Sequence, residues 1–161
     1  KKSASKNQRS AAKKMQELSK KLEQQMIQME EESSEENIKD LQQILKNLVI
    51  FSFDQEALMI GFKDVNSKNA NYPEKLKKQV QLKEYFEHID DSLYTLSLRL
   101  VKISSKIQKD LADAHYNLDR SLENISDNKI DKGISNQQYT MTAANNLADL
   151  LSDILQNLRN G

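Results

Sequence analysis

The chain reads as all-α, an elongated antiparallel bundle or coiled coil of three to four helices, and three observations predict this. Three Gly and one Pro in 161 residues leave too few turn formers for a β fold. After Pro73 no Pro or Gly occurs until Gly133, and the stretch from Pro73 to Asn128 predicts one helix of roughly 55 residues, about 80 Å at 1.5 Å per residue. Within it Phe86, Ile89, Leu93, Leu96, Leu100, Ile103 and Ile107 step by three and four, so they form one apolar stripe. A single helix cannot shield its own stripe, so the other segments are expected to cover this spine.

The first element is a helix over residues 1–32. Ala11, Met15, Leu18, Leu22 and Met29 fall on a heptad seam, with Met26 beside it and Gln25 interrupting it. Met and Ala make that seam weak, so the helix is expected to lean on a partner or on a second copy. Its charges are segregated. Lys1, Lys2, Lys6, Arg9, Lys13, Lys14, Lys20 and Lys21 stand against Glu17 alone, and then Glu23, Glu30, Glu31, Glu32, Glu35, Glu36 and Asp40 stand against Lys39. Such a basic arm could bind anionic lipid or nucleic acid, but without interleaved aromatics a solvated helix face is the favoured reading.

Ser33 with Glu36 has the spacing of a capping box and predicts a second helix over 34–64, the alternative being one continuous helix. This segment is the most apolar of the chain. From Leu48 to Phe53 apolar residues wrap most of the circumference, so Phe51 and Phe53 are expected to plug the bundle centre, with a partner-binding patch as the alternative. Asp64 to Tyr72 is a polar connector. Pro73 then opens the spine, where its missing N–H has no intrahelical partner to lose. Beyond Leu100 the stripe changes step to three-four-four through Leu111, Ala114, Leu118, Leu122 and Ile125, read as relaxing the supercoil.

After a turn at Ser126–Asp131, Asp131 is the expected cap of a fourth helix, 131–160, antiparallel to the spine. Ile134, Met141, Ala144, Ala148, Leu151, Leu155 and Leu158 give its seam. Its first half is polar for a packed face. Asn136, Gln137, Gln138, Asn145 and Asn146 are therefore candidate register-setting or interaction residues, meeting the spine near Asn117, Arg120 and Ser121. A ligand site among these amides is the sharper alternative.

Composition bounds the function. With 37% hydrophobic and 30% charged residues, one domain with a thin core is expected over 1–161. Lys plus Arg equals Asp plus Glu at 24 each, so the overall balance gives no case for nucleic acid. The absence of Cys excludes disulfide and thiolate chemistry, and no apolar run approaches the roughly 20 residues of a membrane span. The chain opens on Lys1 and is read as a piece of something longer. Di-metal carboxylate bundles need paired Glu-x-x-His motifs. Here His88 and His115 lie 27 residues apart on the expected spine, about 40 Å, too far to share a metal. No nucleophile elbow and no Gly-rich phosphate loop occur. No catalytic residue, cofactor or metal is therefore expected, and the chain reads as no enzyme.

SFDQEALM at Ser52–Met59, DSLYTLSLR at Asp91–Arg99, NLDRSLE at Asn117–Glu123 and NQQYTMTAANNLADLLSDIL at Asn136–Leu155 give the chain a resemblance. Over residues 35–160 it resembles the helical region of large, uncharacterised membrane-anchored proteins of the Bacteroidetes, a domain of unknown function. The resemblance implies an N-terminal membrane anchor and a long region on the extracytoplasmic, periplasmic side, and brings no activity to carry over. Members often have Gly between the first two helices, where this chain has Glu and Ser. The resulting expectation is a non-catalytic structural or protein interaction module of a cell-envelope protein, with a protein partner or self-association. A binder of anionic surfaces through the basic arm and a helical ligand-binding domain are the two alternatives.

Overall fold

The computed structural model describes residues 2–63 and 71–160, with side chains from residue 8 onward except at residue 30. The described residues form five helices and no strand: α1 (Lys2–Phe62), α2 (Tyr72–Ser97), α3 (Val101–Ser104), α4 (Gln108–Ser126) and α5 (Ile130–Asn160). The all-α expectation holds. Most of the polar connector expected at 64–72 lies outside the described residues. The chain divides into two compact units, Lys1–Glu36 and Asn37–Gly161.

The longest helix is not where the stripe placed it. α1 runs 61 residues without interruption, and the break expected at Ser33 is absent. Both serines there are exposed, and the flanking Glu, Gln, Met and Lys are strong helix formers that carry the helix through. The 73–128 spine is instead three helices. α2 ends at Ser97, Leu100 leaves the helical region with φ −116° and ψ 85°, α3 is a single turn, and α4 starts at Gln108. Two causes act together here. Val101, Ile103 and Ile107 are β-branched, and Ser97, Ser104 and Ser105 are weak helix formers. The Ser97 hydroxyl also donates to the Tyr94 carbonyl at 2.6 Å, and that of Ser104 to the Val101 carbonyl at 2.8 Å, offering the backbone an alternative to the next helical turn.

The reversal is what builds the core of the 37–161 unit. It lays Phe86, Ile89, Leu93 and Leu96 of α2 against Leu111, Ala114, Leu118 and Ile125 of α4, and all eight are buried in one cluster with Leu41, Leu48, Phe51 and Phe62 of α1 and Leu147 and Leu151 of α5. The stripe is thus covered partly by its own second half. Side-chain pairs fix the directions. Gln55 meets Gln79 between α1 and α2, Asn37 of α1 meets Arg99 just past the end of α2, Lys83 meets Asp119 and Asp90 meets His115 between α2 and α4, and Asn117 meets Asn136 between α4 and α5. Each pairing runs antiparallel, and Ser52 bonded to Asn145 closes α1 against α5. The unit is an up-down-up-down four-helix bundle with α3 in the α2–α4 turn.

The α4–α5 turn is tight. Asn128 has φ 62°, the left-handed conformation that Asn tolerates, and the Lys129 and Asn128 amides close back on the Asn124 and Ile125 carbonyls at 2.7 and 3.0 Å. α5 starts at Ile130, one residue before the expected cap, so Asp131 lies in its first turn near the positive end of the helix dipole. Gly133 follows where α5 presses on α4: a Cβ there would lie 2.5 Å from Cγ1 of Ile125.

Candidate functional site: a buried amide layer

Gln137 is fully buried, and it lies on the face of α5 that also buries Thr140, Met141, Ala144 and Leu147. The same turn-by-turn logic buries Gln55 between Phe51, Leu58 and Phe62 on α1, and Gln79 one step ahead of Leu82 and Phe86 on α2. The three glutamines form one layer across the bundle. Gln55 and Gln79 exchange amide hydrogen bonds, Nε2 of Gln55 donating to Oε1 of Gln79 at 3.0 Å and Nε2 of Gln79 to Oε1 of Gln55 at 2.8 Å. Nε2 of Gln137 donates to the same Gln79 oxygen at 2.9 Å, from the helix diagonally opposite α2. Gln137 Oε1 is buried and accepts nothing from the described residues. Such a layer is neutral and carries no titratable proton. It can fix which helix faces which and at what height, because any slip strands several buried amides.

The other amides of α5 separate by face. Asn136, half-buried, accepts from Asn124 at 2.7 Å and donates to Asn117 at 3.0 Å, so the expected meeting with Asn117 is present. Ser121 is buried but donates to its own Leu118 carbonyl, and Arg120 pairs with Glu123 on the same helix. Asn145 accepts from Ser52 at 2.8 Å, and Asn146 reaches Asp110 only at 3.5 Å; both are exposed. Gln138 is exposed and takes no part in the layer. Phe51 and Phe53 part company as well. Phe51 is fully buried, with its ring centroid 5.1 Å from that of Phe86 and 6.4 Å from that of Tyr85, so it plugs the core and cannot serve as a surface patch. Phe53 is 67% exposed and plugs nothing. It stands on the outer face of α1 near Val49, Ile50 and Ile60, since the helix there is apolar on both sides.

The reversal also overturns the separation drawn for the histidines. His115 Nε2 lies 2.6 Å from Asp90 Oδ2, only two residues beyond His88, because α2 and α4 run antiparallel. Asp119, one turn beyond His115 on α4, pairs with Lys83 at 2.8 Å, and that hydrogen bond raises the Lys83 pKa. His115 and Asp90 are each about one-third exposed, on the rim of a cleft of about 240 Å³ that Tyr94, Ser97, Ile107 and Gln108 also line. Ser97 gives its proton to the Tyr94 carbonyl rather than to His115. A second cleft, about 490 Å³, lies between α1 and α2 and holds Asp54, Lys75, Lys78 and Tyr85. A third, about 360 Å³, has Asp40, Asp91 and Arg99 at its edge. None of the three is lined by the α5 amides. No group of three His, Cys, Asp or Glu able to hold a metal occurs among the described residues.

Sequence reasoning singled out Gln137 but missed its partners. The signal was present in phase: Gln79 continues the Leu82–Phe86 stripe one turn earlier, and Gln55 sits between Phe51 and Leu58. No family model, no curated protein and no solved structure matches the chain.

Proposed function

We propose that the chain is a non-catalytic structural and protein interaction module of a larger cell-envelope protein, with the 37–160 bundle as its rigid part and the first half of α1 as its contact surface. One observation carries the reading. Between residues 8 and 29 every large apolar side chain is more than half exposed, from Leu22 at 54% to Met15 at 73%. A helical stripe left this open is a surface for another helix. The rigid part fits a scaffold, since a continuous apolar core and a register-fixing amide layer hold its shape while its clefts avoid those amides. The extracytoplasmic setting rests on the resemblance of residues 35–160 to the membrane-anchored Bacteroidetes proteins. No helix among the described residues is long and apolar enough to cross a membrane.

Thermal unfolding of the full chain carrying Leu18→Gln and Leu22→Gln together tests the reading. The expected outcome is a midpoint within about 2 °C of the parent, measured at a concentration too low for association. Two leucines in a core would each contribute about 2 kcal/mol or more, enough to lower the midpoint by about 10 °C or more. A fall of that size would mean that the seam is part of the folded core, and the contact-surface reading would be withdrawn.

A further inference from the structure

We infer that the contact surface on α1 takes a second copy of the same segment, in antiparallel orientation; this rests on the interaction-module reading and names its partner. The argument is charge and pattern together. Met15, Leu18, Leu22 and Met29 follow the heptad seam and stand exposed, so the segment offers one apolar stripe about 15 residues long. Around that stripe the charges divide at Leu22. Arg9, Lys13, Lys14, Lys20 and Lys21 precede it with only Glu17 opposing, and Glu23, Glu30, Glu31, Glu32, Glu35 and Glu36 follow it with no basic residue among them.

A parallel pair would set Lys13 and Lys14 beside their own copies and Glu30 to Glu32 beside theirs. An antiparallel pair brings Lys13 and Lys14 of each helix within a turn of Glu23 and Glu30 of the other and Arg9 to Glu31, which turns both of those repulsions into attractions, while Lys20 and Lys21 stay beside their own copies at the axis. The apolar layers supply the register. With a two-fold axis near Lys20, Leu18 of one copy faces Leu22 of the other, Ala11 faces Met29, Met15 faces Gln25, and Arg9 comes level with Glu31. Sliding by one heptad toward the acidic end sets Met15 against Glu32 and Ala11 against Glu36, and sliding the other way leaves Met29 against Ala4. The Ala11 and Gln25 layers keep the pairing weak, so the dimer is reversible and depends on concentration.

The chain has no Cys, so single-cysteine variants report orientation without background. The experiment is sedimentation equilibrium of the full chain from about 1 µM to about 1 mM, at low and high NaCl, with disulfide trapping of Lys14→Cys and Gln28→Cys variants. In the antiparallel register residue 14 lies beside residue 28 of the other copy, whereas two copies of residue 14 stand about 20 Å apart. The expected result is a monomer–dimer equilibrium that weakens at least several-fold in high salt. Mixing the two variants should trap a mixed disulfide dimer in excess over either variant alone. Self-trapping of each variant alone, or a dimer strengthened by salt, overturns the antiparallel pairing. A chain that stays monomeric throughout also overturns it, whether or not the chain sediments with vesicles containing phosphatidylserine. If the Leu18→Gln, Leu22→Gln variant then unfolds with the parent, the interaction-module reading stands with another partner; if it unfolds far below the parent, both readings fall.

Discussion

Gln55 and Gln79 bond each other twice through their side-chain amides, at 3.0 and 2.8 Å, inside a predominantly apolar core. Gln79 is the hub, because its oxygen also accepts from Gln137. The two outer glutamines are therefore not equivalent to the central one. Gln79→Leu leaves the polar atoms of both neighbours buried without partners and should lower unfolding free energy by about 2–4 kcal/mol. Gln137→Met removes a buried oxygen that has no partner among the described residues and leaves the Gln55–Gln79 pair intact. It should be neutral or stabilise by about 1 kcal/mol. Urea denaturation of the two variants distinguishes them by sign, and equal losses would show that Gln137 Oε1 is satisfied, for instance by a water.

The glycines make a second contrast. In a helix Gly is about 1 kcal/mol less favourable than Ala, so Gly→Ala tends to stabilise wherever space exists. At Gly61 the added methyl meets only the Nζ end of Lys75, at 2.9 Å, which can swing away. At Gly133 it meets the branch of buried Ile125 at 2.5 Å, with Ile125 backbone N at 3.5 Å behind it. Gly61→Ala should raise stability by about 0.5 kcal/mol, and Gly133→Ala should lower it by about 1–3 kcal/mol as α5 is pushed off α4. Thermal melts of the two single variants check this, and a stabilised Gly133→Ala would mean that α4 and α5 separate easily.

How much of this was legible follows the physics of each signal. Periodicity and the scarcity of Gly and Pro sufficed for an all-α fold and, to within one residue, for the start of α2 at Tyr72 and the extent of α5. They did not show the reversal at 98–107. Leu96, Leu100, Ile103, Ile107 and Leu111 keep steps of three and four straight through it, because the single turn of α3 preserves the spacing while the chain changes direction. The change of step beyond Leu100 was the visible trace, read as a relaxed supercoil when it marks a new helix with a new partner. Ser97, Ser104 and Ser105 were the second trace. Without the reversal the contact between His115 and Asp90 could not be anticipated, since it joins residues that a continuous helix would hold far apart. Gln79 was hidden for another reason: a glutamine inside an apolar stripe looks like an interruption until the two amides that satisfy it are found on other helices.

The left-handed residue in the α4–α5 turn gives a prediction independent of packing. Asn128 sits at φ 62°, where a β-carbon without a side-chain hydrogen-bonding group is disfavoured by about 1–2 kcal/mol. Asn128→Ala should therefore lose about 1 kcal/mol, while Asn128→Gly should match the parent or exceed it by a few tenths. Chemical denaturation of both variants settles the order. Equal losses would place the role of Asn128 in its amide rather than in its backbone.

Stability should also fall in base, and the sign follows from three groups. Tyr72 is buried, and its hydroxyl donates to the Ile125 carbonyl; burial first, and Asp127 second, push its pKa up. Tyr85 is pushed up by burial and then by Asp54, and Lys83 by its hydrogen bond to Asp119. A pKa raised in the folded state means that the unfolded chain releases its proton first. The stability these groups contribute is thus complete below about pH 10 and is lost as pH rises through the folded values. The unfolding midpoint should stay level on this account up to about pH 9 and drop beyond about pH 10. Tyr72→Phe should be less stable at neutral pH by about 1 kcal/mol, the loss of one buried hydrogen bond, yet decline less steeply above pH 10. Melts of parent and variant across that range test it: parallel declines would remove Tyr72 from the cause and leave Tyr85 and Lys83 to carry the slope.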